Sequence, residues 1–353
     1  MNFKRITVLL LTITFIFTSC SSDDDANIPV PKGDYENGIL ISHEGNFGQG
    51  NASVSFVSYD LDTVENNLFN TINGSLLGDT AQSVAFYNDL AYIVLNVSNT
   101  IEIVNRYTFE SVATINSGLS NPRYIAFSNE KGYVTNWGDG GNAADDYVAI
   151  INLSTNTLEA NSISVVEGPE EIIATGNTIY VAQQGGFSQN DKVSVIDTTT
   201  DTVTATITVG DVPNSLQFDT SGNLWVLCGG KPSWTGSETA GKLFKINTAN
   251  NDTTSIDFAT TEHPNFLSVE NDNIYYLLGG AVYKMAASST VLPNASEITG
   301  LNLYNMNVNN GILYGVDAGD FTSNGTVTSY DLSTNTLINT ATVNIIPGGI
   351  YFN

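Results

Sequence analysis

The 353-residue chain is long enough for one large domain or two ordinary ones, and 41% hydrophobic residues, with 16 Tyr and 16 Phe along its length, amply supply a packed core. Eleven Lys and Arg face 36 Asp and Glu, a formal charge of -25. That balance excludes nucleic acid as a partner, because such binding needs cations that release counterions from phosphates.

The chain opens with Lys4 and Arg5, an apolar run over residues 6–17, and the small residues Thr18 and Ser19 before Cys20. The run is too short to span a bilayer, and the order of parts is that of an export signal over residues 1–19. Its ending, Phe17-Thr18-Ser19-Cys20, resembles a bacterial lipobox with Phe where Leu is usual. The resemblance implies lipidation of Cys20, and several acyl chains on one residue anchor a protein stably to a membrane. The competing reading is an ordinary secretory signal with an incidental Cys. Residues 20–37 follow as a polar tether, with Ser21-Ser22-Asp23-Asp24-Asp25 and then Pro29 and Pro31. An acidic stretch directly behind a lipidated Cys resembles the surface-export signal of certain Gram-negative outer-membrane lipoproteins, and so implies a lipid-anchored protein at the outer-membrane surface; the alternative is a solvated spacer. Once the signal is removed, Cys228 is the one thiol besides Cys20; it lies in an apolar run and reads as a buried small hydrophobe.

From residue 38 a unit of about 40 to 50 residues recurs. A Pro or polar residue opens a short strand, a tight turn leads to an apolar strand, and a variable loop leads to a third strand ending in Asp or Asn. The copies cover residues 82–105, 122–153, 169–197, 213–247, 264–284 and 304–331. Each alternates apolar and polar residues at period two, is rich in Val, Ile, Tyr and Thr, and turns at Asn, Asp and Gly, which predicts strands throughout and no helix. Pro347-Gly348-Gly349-Ile350-Tyr351-Phe352 matches the opening strand of a unit whose remainder lies at the front, in residues 38–42 and 53–60 with a further strand around residues 66–72. The expected fold is all-β: a seven-bladed β-propeller over residues 38–353, with the seventh blade closed by N- and C-terminal strands.

The pattern Val195-Ile196-Asp197-Thr198-Thr199-Thr200-Asp201-Thr202-Val203, echoed in Ile151-Asn152-Leu153-Ser154-Thr155-Asn156-Thr157-Leu158, resembles the YncE-like and surface-layer propeller-repeat proteins. Similar surface-lipoprotein propellers include cobalamin-capturing proteins that sit over a TonB-dependent transporter. The resemblance implies cobalamin as ligand and such a transporter as partner.

In a four-stranded blade the loop between the second and third strands shares a face with the connection into the next blade. Five of these loops are long and Gly-rich and carry an aromatic: Phe47, Trp137, Phe187, Trp234 and Phe321. Aromatics on exposed loops of a rigid scaffold are stiff contact area for a ligand; the alternative is that each folds back over its own blade. The strand-opening residues Gln82, Arg123, Glu170, Asn214, Asn265 and Asn305 point into the same mouth, unless each caps the neighbouring connection, with Arg123 free to pair with Glu170 or Glu171.

His43 and His263 stand alone, so no His-based metal centre or His-activated nucleophile is expected, and no cofactor. Asp139, Asn142, Asp145 and Asp146 offer hard oxygens without the spacing of an EF-hand loop. The expected function is non-enzymatic ligand capture, against two alternatives: a protein-binding or adhesive propeller, and a carboxylate- or Ca²⁺-dependent hydrolase or lyase using Glu170 or Glu171.

Overall fold

The computed structural model describes residues 31–353, so the export signal over residues 1–19, Cys20 and the greater part of the tether lie outside the described residues. Seven four-stranded antiparallel sheets form the seven blades of a propeller. Six are consecutive in sequence; in the remaining one, blade 1, the terminal strand Pro347–Phe352 lies innermost against Gly38–His43, followed by Ser53–Ser58 and the two-residue Val64–Glu65. The innermost strands of blades 2 to 7 are Ala81–Tyr87, Pro122–Ser128, Pro169–Thr175, Pro213–Phe218, Asn265–Glu270 and Asn305–Asn309.

Period-two alternation here serves two apolar faces at once. Each second strand lies between two neighbouring blades, so Ile39 and Ile41 pack toward blade 7 while Leu40 packs toward blade 2. Seven buried clusters result, one for each contact between adjacent blades. The second strands therefore read as nearly unbroken apolar runs such as Leu224–Cys228. Buried tyrosines on these strands also reach the next blade's outer turn: Tyr92 donates to Asn156 Oδ1 (2.7 Å), Tyr133 to Asp201 Oδ1 (2.6 Å) and Tyr314 to the Tyr59 carbonyl (2.9 Å).

Two elements differ from the sequence reading. Instead of a strand over residues 66–72, Val64–Glu65 is followed by a short helix, Leu68–Asn73. Leu68 and Phe69 are buried in the cluster between blades 1 and 2, and Gly74, with a left-handed φ of 71°, ends the helix by donating its N–H to the Asn70 carbonyl. The packed body also begins before residue 38: Tyr35 is buried, its N–H donates to the Tyr107 carbonyl (3.0 Å), and Lys32 pairs with Asp89 (2.8 Å).

Candidate functional site

The second-to-third-strand connections are long in five blades, at residues 44–52, 137–146, 184–191, 229–241 and 318–323, and short in blades 2 and 6. They share a face with the connections that lead into each innermost strand. A recurrent device fixes those connections. Thr80, Asn121, Gly168, Val212 and Ile346, each directly before an innermost strand, have φ between 49° and 70°, and each carbonyl accepts the N–H of the residue that follows the second strand of the same blade. At Gly168 a Cβ would collide with the backbone of Gly185 and Gly186, so this site takes no side chain. Just inside, the innermost strands of blades 1 to 6 carry a β-bulge, which re-aims the side chains there.

These bulges bring a polar group to the axis. Arg123 makes a bidentate ion pair with Glu170 (2.9 and 2.7 Å). Burial opposes the guanidinium charge, yet the Glu170 carboxylate outweighs it and holds the Arg123 pKa above its ordinary value. Trp137 lies over Arg123 at 4.1 Å from its ring centroid and donates its indole N–H to the Pro169 carbonyl (3.1 Å), so it is half-buried against the pair. Phe187 meets Trp137 edge-on at 6.3 Å, and Gly140 leaves it room, since a Cβ there would stand 2.9 Å from the Phe187 ring. A second chain of contacts comes from blade 7. Phe321 meets Tyr304 edge-on at 5.3 Å, and the Tyr304 hydroxyl donates to Glu44 Oε1 (3.0 Å). Burial and the charge of Glu170 raise the Glu44 pKa, while the Tyr304 hydroxyl and Arg123 restrain it.

Deeper in the ring stand Tyr124, Glu171 and Tyr351. Burial is the leading influence on all three, and each keeps some accessible surface. The Glu171 carboxyl is pushed up to about 8 by burial and further by Glu170, against the Leu216 N–H that donates to it at 2.8 Å. Tyr124 is raised well above the ordinary tyrosine range, and Tyr351 to about 12. Glu171 was named from sequence only as an alternative partner of Arg123 and an alternative acid/base group, and Glu44, Tyr124, Tyr304 and Tyr351 were not singled out as axial residues. The doubled acid Glu170-Glu171 was the available signal, because a bulge turns both residues of such a pair inward.

The remaining expected residues divide. Gln82 reaches the Tyr124 hydroxyl at 3.5 Å. Asn214 donates to the Pro264 carbonyl (3.0 Å) and so caps the neighbouring connection, whereas Asn305 donates to the Gly348 carbonyl (2.7 Å) within the innermost strand of blade 1. Asn265 is exposed beside Asn214. Phe47, Phe187, Trp234 and Phe321 are 81%, 80%, 78% and 49% exposed, and no other Phe or Trp among the described residues is exposed. Of the loop oxygens considered for a cation, Asp146 is buried with its carboxylate on the Gly168 N–H (2.8 Å), and burial raises its pKa to about 6. Among the described residues no three His, Cys, Asp or Glu side chains converge to hold a metal ion. His43 is fully buried against Ser55 (2.8 Å) and held neutral, its pKa lowered to about 3 by burial.

Fold and site together define a seven-bladed β-propeller with a charged axial mouth and an aromatic rim. The chain belongs to the family described as "Domain of unknown function (DUF5074)", whose model matches residues 37–352. A comparison with curated proteins finds no match. Among solved structures it is similar to hydrazine synthase of Kuenenia stuttgartiensis (15% identity, 84% of this chain and 90% of that one, TM-score 0.61). A quinoprotein alcohol dehydrogenase-like protein of Bacteroides thetaiotaomicron is also similar (14%, 90% and 78%, 0.66), as is the computationally designed Ika8 protein (11%, 90% and 96%, 0.54). At these identities the likeness is one of fold, and fold leaves activity open.

Proposed function

We propose that this protein is a binding module that captures a ligand on its long-loop face, held at the outer-membrane surface through a lipidated Cys20 and handing its ligand to a TonB-dependent transporter. One observation carries the capture reading: every exposed Phe and Trp among the described residues lies in the long loops of that face. Exposed large apolar groups gathered on one face are the mark of an interaction site, and aromatics contribute wide contact at little conformational cost. The rim stands over a mouth whose single Arg is neutralised by Glu170, with Glu44 beside it, so the face favours neutral or cationic ligands over anions. Cobalamin is the first ligand to test, on the resemblance to cobalamin-capturing surface lipoproteins. Calorimetric titration with cyanocobalamin and with neutral glycans should show binding to one of them. Trp234→Ala and Phe187→Ala should weaken it at least about tenfold and leave Tm unchanged, since both side chains project into solvent. Unaltered affinity in both variants would remove the rim from the site.

A further inference from the structure

We propose that a cavity on the long-loop face, at the outer edge of blade 1, is a subsite for one neutral sugar residue. This rests on the reading of that face as a capture surface and names the class of ligand it takes. The cavity, about 250 Å³, lies where the helix Leu68–Asn73 replaces the outer strand, and its walls include Asn51, Asn67, Asn70, Phe69, Leu76 and Leu77.

Charge distinguishes this cavity. None of its lining side chains is ionisable, in a chain of formal charge -25. Four other clefts each include an ionised group: Lys245 in two of them, Glu159 and Asp197 in the others. Asp79, two residues from Leu77, is not among the lining residues, and its carboxylate accepts the Gly50 N–H (2.9 Å) and the Thr80 hydroxyl (3.0 Å). A charged guest would enter such a site without a counter-charge, which is unfavourable. A neutral guest rich in hydroxyls would not.

The polar groups suit such a guest. Carboxamides both donate and accept, as sugar hydroxyls do. The Asn67 oxygen accepts from Asn344 (2.8 Å), which leaves its NH₂ for a ligand, and the Asn70 side chain has no protein partner among the described residues. Leu76, 72% exposed, and the buried Leu77 and Phe69 make the apolar wall that the C–H face of a pyranose covers. The size also agrees. Cavities of roughly 300–1,000 Å³ hold drug-sized molecules, so this one takes a single ring and excludes a corrin.

The site is built before any ligand arrives. The Ala52 N–H donates to the Gly78 carbonyl (3.0 Å), the Asp79 N–H donates to Ser98 Oγ (2.8 Å), and Asn344 also ties Ser53 Oγ (2.9 Å). Phe47, on the same loop as Asn51, places the aromatic rim beside the cavity, so a glycan whose terminal residue fills it can run along the rim.

The test is calorimetry on the full chain with methyl glycosides of glucose, galactose, mannose, xylose and N-acetylglucosamine and their short oligosaccharides, with glucuronate, glucosamine and cyanocobalamin alongside. Variants are Leu76→Asp, Asn70→Ala and Trp234→Ala, each checked for unchanged Tm. A neutral saccharide should bind, glucuronate and glucosamine should not, and Leu76→Asp and Asn70→Ala should each weaken binding at least about tenfold, or 1.4 kcal/mol. Saccharide binding that survives both pocket variants but is lost in Trp234→Ala would overturn the subsite and leave the capture face standing. Binding of cyanocobalamin alone would do the same. Silence toward every probe would remove both.

Discussion

Replacing Glu170 by Gln removes half of the ion pair at the axial mouth and strands the other half. Arg123 and Glu170 side chains are 13% and 7% exposed, so water does not readily take the place of the lost carboxylate. Breaking a buried pair from one side costs about 3–5 kcal/mol. Two features soften this: the Gln carbonyl still accepts a hydrogen bond, and Glu44 lies close enough to Arg123 for their charges to interact. The expected net loss is about 2–3 kcal/mol. A domain of this size unfolds with an entropy of about 0.7 kcal/mol per kelvin, so Tm should fall by about 3–4 °C. The double variant Arg123→Met/Glu170→Gln removes both charges and should be less destabilised than the two single losses added together, by about 1–3 kcal/mol. It keeps some deficit, because Arg123 also stacks on Trp137. Urea unfolding followed by tryptophan fluorescence, with calorimetry, measures all three variants. Losses that add to within about 0.5 kcal/mol would show that the pair is not coupled and refute the argument.

Glu171 gives a pH dependence of definite sign. Its folded pKa of about 8 lies above the ordinary carboxylate value, so its stabilising contribution is full at acid pH and is lost as pH rises through 8, by up to about 1.4 kcal/mol per pH unit. Urea midpoints at pH 5, 7 and 9 should fall less steeply in Glu171→Gln than in the wild type, and identical slopes would dismiss the buried carboxyl. Cys228 is fully buried and burial pushes its thiol well above the ordinary range, so it should resist a thiol-reactive dye in the native protein and react at once in denaturant. Prompt native labelling would contradict that burial.

The blade count was legible because each repeat must bury both faces of its second strand, which leaves runs such as Tyr180-Val181-Ala182 in every copy. The split blade was legible for a related reason: Pro347 to Phe352 matches an opening strand, and Gly38 to His43 matches the second strand that such an opening strand pairs with. The helix at Leu68–Asn73 was not, since Leu-Phe-Asn-Thr-Ile-Asn alternates poorly at either period and only Gly74 and the cluster around Phe69 decide it. The rim aromatics could be placed on a face by counting strands. What each does there could not be read, because it depends on contacts within the blade and with its neighbour: Trp137 turns down onto Arg123 of its own blade and donates to the Pro169 carbonyl of blade 4, whereas Trp234 is 78% exposed and projects. For the same reason Glu44 was not legible as an axial residue, since its partner there, Tyr304, is 260 positions away.

The left-handed residues before the innermost strands offer a test of how much strain the mouth carries. Asn121 and Gly168 are suited to positive φ, whereas Thr80, Val212 and Ile346 are β-branched and hold the same conformation at φ of 57°, 57° and 51°. The following strand fixes them there. Pro213 follows Val212, and the Val212 carbonyl accepts the Gly229 N–H at 2.8 Å, so leaving the strained basin would break the bond that seats the loop bearing Trp234. Such a residue stores about 1–3 kcal/mol. Val212→Asn keeps the carbonyl and supplies a residue that tolerates the conformation, as Asn121 does in blade 3, while giving up a half-buried side chain. The two effects oppose, and the expected balance is a gain of about 0.5–1 kcal/mol with no change in ligand affinity, because the backbone path is the same. Denaturation midpoints decide it. A loss greater than about 1 kcal/mol would mean that Val212 is held by its packing and stores no strain worth releasing.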